Sequence, residues 1–532
     1  MKKKDKNDAP MSGDYLGSEK VGKLFAKFTV PCIASLIISC LYNIVDQIFL
    51  GHMGVGYGTV ANAATGIVFP VTVVGWAFAL LFGDGAAAYL SVALGKKRPE
   101  KIHKSVGGAM LGAFLAGCAV ILIAYLWGDK LLMLLGADTT DAIGSDGNAL
   151  TGVNTLAYSH DYSIIVYAMM PLALVQVCLA SIIRADGSPL YALIAMVAGA
   201  VFNIAGDPIA IYALDLGVKG AAWATIIGQF ISFLLCAGYL FKSKNFRLKL
   251  KSFAPDFKVS GRVLQLGLSS FMTQIFIAII TIVNNILLAY FSFIEFGETG
   301  PQIALAAFVV IMKLFQIILN VAIGLAAGAQ PLVGYNYGAQ KYDRVKKLLL
   351  YIMAWTAGIC LFFTILFEAA PIMFIKMFSN ETSSTYITFA TNCIRIYLSL
   401  ITFTCLQKCC AIFLQSIGKA KFAVPLSFVR DILLIIFSVA LPFGIGVYGV
   451  FWGAPIADAI AAIATVPFMI IVWKQMGKMS AEAKLSANEP EPPEPQHNDA
   501  QEASDDAQEA SDDAQTDLPD TADTVSDSTE TA

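Results

Sequence analysis

Twelve stretches of this chain are apolar over about 20 residues or more, long enough for each to cross the roughly 30 Å hydrocarbon core of a bilayer as a helix. Their approximate limits are 24–50, 59–94, 105–128, 162–184, 189–212, 219–241, 262–291, 302–337, 346–368, 386–416, 421–444 and 449–474. In hydrocarbon each segment must satisfy its own backbone hydrogen bonds, so the pattern specifies an all-α polytopic membrane protein. Composition agrees, because 57% hydrophobic and 14% charged residues with a mean hydropathy of +0.67 exclude a water-soluble globule. Segments two, eight and ten exceed one span and are expected to tilt or break at internal residues such as Pro70, Gly83, Gly85, Gly324 and Pro331.

The formal charge of -3 conceals a division. Every residue after Lys484 that is charged at pH 7 is acidic, 15 in all, which leaves the body at +12. Loops on one side hold Lys96, Lys97, Lys101, Lys104, the cluster from Lys242 to Arg262, and Lys341 to Lys347, whereas the other side holds only Lys130, Lys219 and Lys376. That asymmetry assigns the basic side, with both termini, to the cytoplasm of a multi-pass protein in the plasma (inner) membrane. It also reads as membrane topology rather than affinity for nucleic acid. The start, "MKKKDKNDAP", is charged but is followed by no short apolar core with a cleavage site, so the first apolar segment is expected to remain in the mature protein.

The chain contains itself twice. "GKKRPEKIHK" from Gly95 returns as "GAQKYDRVKK" from Gly338, an offset of 243, and "GVKGAAW" from Gly217 returns as "GVYGVFW" from Gly446, an offset of 229. Two six-span units of the same orientation imply an axis along the membrane normal and a cleft between the halves. The expected division is a cytoplasmic N-terminus at 1–23, an N-lobe at 24–241, a basic linker at 242–261, a C-lobe at 262–474 and an acidic, disordered cytoplasmic tail at 475–532. The linker reads either as a solvated loop or as a basic amphipathic segment on the membrane surface. The ten cysteines all lie in apolar stretches and read as packing residues; the four histidines have no metal-ligand spacing, and no cofactor is expected.

Ionisable groups inside spans are costly and mark candidate function. Asp46, Asp207 and Thr225 each lie roughly 8 Å beneath the outer boundary at 1.5 Å rise per residue. Tyr42 and Asn203 stand one turn before the two acids, on the same helix faces. With a free carbonyl near Gly220 or Ala221, these groups make a cluster of hard oxygens suited to Na⁺, held by Asp46, Asn203, Asp207 and Thr225, or to one or two protons. The alternative is helix glue, with the acids neutral and hydrogen-bonded. Asp84, in "FGDGAAAYLS", reads as a cleft residue or as a carboxylate capping a helix end at a glycine break. In the second half Gln274, Asn284, Asn285 and Lys313 are candidates to line the cleft. Arg430 and Asp431 are adjacent on one helix, so each is expected to find its partner on another span; with Asp458 they read as structural ion pairs.

The duplication, together with "VPCIASLIISCLYNIVDQIFLG", "LYALIAMVAGAVFNIAGDPIAI" and "LGVKGAAWATIIGQ", resembles the multidrug and toxin extrusion (MATE) family of cation-coupled efflux transporters over residues 20 to 475. The resemblance implies a V-shaped pair of six-helix lobes, an antiporter rather than an enzyme, exchanging Na⁺ or H⁺ for an organic, often cationic, drug or toxic metabolite. It implies a cation site at Asp46, Asn203, Asp207 and Thr225 with Tyr42 beside it, and a bend of the first helix at Pro31. Some members carry an acid in the seventh span, where this chain has Gln274, Asn284 and Asn285. The expected partners are a small organic molecule and membrane lipid, with the protein monomeric. A lipid or lipid-linked oligosaccharide flippase of the same superfamily is the alternative, because Lys313, Lys408 and Arg430 would give its cleft positive charge.

Overall fold

The computed structural model describes residues 14–53, 57–97, 101–141, 149–254, 256–378 and 383–488. Its main elements are α1 (Val21–Gly51), α2 (Tyr57–Gly95), α3 (Ile102–Leu134), α4 (Thr155–Ala168), α5 (Met170–Ala185), α6 (Pro189–Pro208), α7 (Gly217–Tyr239) and α8 (Phe257–Phe296). They continue as α9 (Gly300–Gly338), α10 (Tyr342–Ala369), α11 (Pro371–Phe378), α12 (Ser384–Leu398), α13 (Ile401–Ser416), α14 (Ala420–Ala440), α15 (Pro442–Ile445) and α16 (Tyr448–Asn488). Helices α4 and α5 form one bent span, α12 and α13 together make one span, and α8 and α9 are two spans joined by a tight turn, which gives twelve crossings among the described residues. The chain divides into compact units at Met1–Ser480 and Ala481–Ala532; the described part of the second, 481–488, is helical.

The duplication is visible in the backbone. Lys97 and Gln340, which are 243 residues apart, both adopt positive φ (53° and 60°), and so do Gly217 and Gly446 (55° and 67°), which are 229 apart. Each pair ends or starts a helix at the equivalent turn of its half. The two turns also touch. A Cβ on Gly95 would lie 2.1 Å from the Tyr335 carbonyl oxygen, and one on Gly338 would lie 2.3 Å from that of Val92, which is the residue equivalent to Tyr335. Equivalent positions in reciprocal contact place the pseudo-twofold axis between α2 and α9 at the basic end. The remaining contacts between halves follow the same symmetry: α1 packs on α9, and its counterpart α8 packs on α2.

Close helix approach also explains why α2 and α9 run unbroken, contrary to the expected breaks at Pro70, Gly83, Gly85, Gly324 and Pro331. A Cβ on Gly83 would lie 2.8 Å from the Cα of Cys178, one on Gly85 2.2 Å from the carbonyl oxygen of Val263, and one on Gly324 2.8 Å from the Cα of Ile33. These glycines are flat contact surfaces rather than hinges. The prolines sit inside continuous helices. An unexpected break lies in the fourth span, bent by 55° at Met169, where Pro171 starts a new helix.

Two further expectations need correction. The tail does not leave the helix at 475: α16 runs to Asn488, because "MGKMSAEAKLSAN" is rich in good helix formers, and Ser480 Oγ donates to Asp343 at 2.8 Å. The rest of the tail, from 489, lies outside the described residues. The linker is not a free loop. Ser252 is fully buried in a short 3-10 turn, Leu250–Phe253, whose backbone meets α3 at Gly107, and α8 already begins at Phe257 under an Asp256 cap. Asp186, in the turn after α5, accepts from Tyr239 Oη (2.7 Å), Lys244 N (2.9 Å) and Asn245 Nδ2 (2.9 Å). Burial raises its carboxyl above the usual range, against the pull of those donors.

Candidate functional site

The first-half candidates converge. Helices α6 and α7 approach through Gly199 and Gly228: a Cβ on Gly228 would lie 2.6 Å from the Gly199 carbonyl oxygen and 3.1 Å from Asn203 Cβ. Side chains one and two turns along α6 from Gly199, Asn203 and Asp207, therefore face α7. Asn203 Nδ2 donates to Asp207 Oδ1 at 3.2 Å and to Thr225 Oγ1 at 3.4 Å. Directly after Asp207 the helix widens into a π-turn, Ile209–Ala213, a local irregularity that recurs at functional sites. From this turn Tyr212 Oη donates to the Phe49 carbonyl at 2.5 Å, tying the end of α1 to the end of α6. One turn back along α1, Asp46 comes within electrostatic reach of Asp207.

The groups at this site are short of partners. Asp46 is 9% exposed, Asn203 3% and Asp207 not at all, yet Asp46 Oδ1, Asn203 Oδ1 and Asp207 Oδ2 are buried with no hydrogen-bond donor. No Lys or Arg among the described residues pairs with either acid, and the nearby Lys219 is engaged with Asp161 at 3.2 Å. Two carboxylates and an amide oxygen, buried and without a counter-charge, form a cluster of unpartnered oxygens that a cation or protons would complete. Tyr42, half-buried on the preceding turn of α1, lies within electrostatic reach of Asp46. Ala221, by contrast, contributes no free carbonyl. It sits in the uninterrupted α7, where the helix ladder uses its oxygen, and it packs in an apolar cluster with Leu50 and Val218.

Sequence reasoning missed Tyr162 of α4, 8% exposed, which meets Thr225 and lies within electrostatic reach of Asp46, Asp207 and Tyr42. Its only signal was a hydroxyl in an apolar span. Pro31 lies in the basic-end half of a continuous α1.

The other candidates are dispersed. Asp84 caps no helix end: it sits inside α2 and accepts from Ser181 Oγ (2.7 Å) and Ser270 Oγ (2.8 Å). Asn284 is buried on the core side of α8 with its Nδ2 unpartnered, Asn285 is exposed on another face, and Gln274 is half-buried two to three turns nearer the basic end. Lys313 lies beneath the Phe378 ring, 5.7 Å from its centroid. An apolar groove of about 270 Å³ between α2, α3 and α8, lined by Pro70, Val74, Leu131, Ile275 and Ile279, contains none of these polar groups.

The second-half charges form one buried chain. Lys408 Nζ lies 2.6 Å from Asp431 Oδ2, Arg430 Nη1 3.4 Å from Asp431 Oδ1, and Arg430 Nε 2.7 Å from Asp458 Oδ1. Partners on other spans were expected for Arg430 and Asp431; direct contact between these two neighbours was not, and the length of the arginine allows it. Lys408 and Arg430 are thus neutralised inside their own half and lend no positive charge to a cleft.

The MatE family model matches residues 31–209 and 272–440. Among curated proteins the chain is 24% identical, over 460 residues, to the multidrug export protein MepA of Staphylococcus aureus (strain MRSA252), covering 86% of this chain and 95% of the relative. Two solved structures share the fold. One is the outward-facing conformation of a multidrug resistance MATE family transporter of the MOP superfamily, with TM-score 0.76, 21% identity and coverage of 88% and 100%. The other is a MATE structure in a bent conformation, with TM-score 0.75, 23% identity and coverage of 89% and 100%. The family match over most of the chain, on twelve helical spans built from a tandem repeat, establishes that this multi-pass membrane protein belongs to the MatE (MATE) family of transporters, which are not enzymes.

Proposed function

We propose that the protein is a secondary active antiporter that exports organic, often cationic, drugs or toxic metabolites in exchange for Na⁺ or H⁺ by alternating access. We place it in the plasma (inner) membrane with both termini cytoplasmic, and the six-span halves 24–241 and 262–474 are its moving lobes. The observation that carries the reading is the pair of buried, unpaired carboxylates, Asp46 and Asp207, joined by Asn203, Thr225 and Tyr162 at one site near the end opposite the basic loops. The multidrug export relatives support drug as the cargo.

Entry of the coupling cation neutralises the two acids, so that the outer part of α1 no longer bears an uncompensated charge and the helix bends at Pro31. Substrate affinity in the neighbouring cleft then falls. Exchange requires that cation and drug prefer different states, because a ligand with equal affinity for both shifts nothing. If the exchange moves net charge, the membrane potential adds about 2.3 kcal/mol per charge per 100 mV.

The test is ethidium accumulation in everted vesicles, with pH and Na⁺ gradients imposed separately. We expect accumulation driven by one of the two gradients, and its loss in Asp46→Asn and in Asp207→Asn with both variants still inserted in the membrane. Normal accumulation in either inserted variant defeats the assignment.

A further inference from the structure

At the basic end the two halves meet backbone to backbone. A Cβ on Gly267 of α8 would lie 1.7 Å from the Leu81 carbonyl oxygen of α2, and one on Gly85 would lie 2.2 Å from that of Val263. Into this seam α2 places a carboxylate. Asp84 Oδ1 accepts from Ser181 Oγ of α5, in its own half, at 2.7 Å, and its Oδ2 accepts from Ser270 Oγ of α8, in the other half, at 2.8 Å. Ser181 Oγ in turn accepts from Arg184 Nη2 at 2.8 Å, and Ser270 meets the Gln415 amide of α13 at 3.4 Å. Gln330 Nε2 of α9 donates to the Asp84 main-chain carbonyl at 3.4 Å. One polar chain therefore runs from Arg184 in the first half through Asp84 to Gln415 in the second.

We propose that Asp84 is the latch that holds the halves together at the basic end and sets how often they part there, a role that rests on the alternating-access reading above. Opening on that side must draw α8 away from α2, and the Asp84–Ser270 bond is then lost. A hydrogen bond to an ionised acceptor is stronger than a neutral one, so this bond between half-buried partners resists opening. The latch is reversible, because an Asp84 separated from Ser270 keeps its bond to Ser181 and gains water as the seam opens. The glycine contacts make the seam close, and the Asp84 carboxylate supplies its short side-chain bond between halves, beside the longer Gln330 contact to the Asp84 carbonyl. Losing a hydrogen bond to a charged group corresponds to about a ten- to hundredfold rise in the parted population.

Hydrogen exchange of the full-length protein in nanodiscs, read by mass spectrometry, tests this without relying on transport. In Ser270→Ala, and in Asp84→Ala if it folds, we expect exchange at residues 79–95 and 262–272 to accelerate about tenfold or more, with residues 203–225 unchanged. Ser181→Ala removes the bond within one half and is expected to leave residues 262–272 protected. Unchanged exchange at 262–272 in folded Ser270→Ala overturns the proposal, as does equal acceleration in Ser181→Ala. If Asp84→Ala does not fold, Ser270→Ala, which keeps every charge, decides alone. Should the wild type respond to neither cation gradient, the antiport reading fails while the exchange data still judge the latch.

Discussion

Replacing Lys408 by Met asks whether the buried charges of the second half are scaffold or machinery. Lys408 Nζ stands 2.6 Å from Asp431 Oδ2 and also donates to the Ser427 carbonyl at 2.7 Å; the two residues are 4% and 1% exposed. At an effective dielectric constant of about 20, unit charges at that distance attract by about 6 kcal/mol, a gross figure largely offset by the cost of removing both from water. Removing the lysine alone leaves Asp431 facing only the more distant guanidinium of Arg430, at 3.4 Å, and gives the four-residue chain a net negative charge. The expected cost is about 3–5 kcal/mol, the usual penalty for breaking a buried pair. Lys408→Met combined with Asp431→Leu removes both charges, keeps the Arg430–Asp458 contact and should recover most of that loss. The assay is thermal or denaturant unfolding of the purified protein followed by tryptophan fluorescence, with ethidium accumulation measured in parallel. The single variant should unfold well before the wild type, and the double variant should be close to it and still transport. A single variant as stable as the wild type, or a double variant no better than the single, refutes the ion-pair argument; a stable double variant that cannot transport gives these charges a part in the cycle.

Tyr162→Phe removes one hydroxyl facing Thr225 and should weaken the apparent affinity for the coupling cation about fivefold, the equivalent of one hydrogen bond of about 1 kcal/mol, without changing the unfolding midpoint; unchanged cation dependence argues against Tyr162 as a site residue. Asp256 caps α8, and the Val259 N–H, assisted by Lys104, holds its carboxyl below the usual carboxylate range. Because the folded value lies below the unfolded one, the cap is at full strength above about pH 4 and is lost as pH falls through the folded value, so exchange of the 257–260 amides should accelerate only in acid. Arg344 donates to the Leu16 and Glu19 carbonyls and Lys341 to that of Gly17. Arg344→Ala should therefore expose residues 16–20 to exchange or proteolysis while residues 203–225 stay protected; an unchanged pattern at 16–20 argues that the segment is held by other contacts.

Local and periodic features of this protein were legible in the sequence. The number of spans follows from the thickness of hydrocarbon, which counts apolar residues along one helix and needs no knowledge of neighbours. The duplication was legible as well, and it surfaced in the backbone as the matched positive-φ turns at Lys97 and Gln340. Spacing also set depth: Asp46, Asp207 and Thr225 could be assigned a common level because rise per residue is constant. The one-turn spacing of Asn203 and Asp207 correctly gave them a shared face.

Tertiary structure decided which faces meet. Glycines in long apolar helices read equally well as hinges or as contact surfaces; Gly83, Gly85 and Gly324 became contact surfaces only because particular backbones approach them. Asp84, flanked by two glycines, gave the local signature of a helix end, but α2 continues through it to satisfy a partner 186 residues away. Tyr162 joined the site from a span whose own sequence marks it as packing, and Ala221 left it because a continuous helix takes up its carbonyl. Lys408, Arg430, Asp431 and Asp458 could be listed as charges needing partners, but their pairing across α13, α14 and α16 depends on helix rotation and tilt. Depth and face follow from one helix's own geometry, whereas the choice of neighbour is settled by long-range packing between spans, which spacing along the chain does not encode.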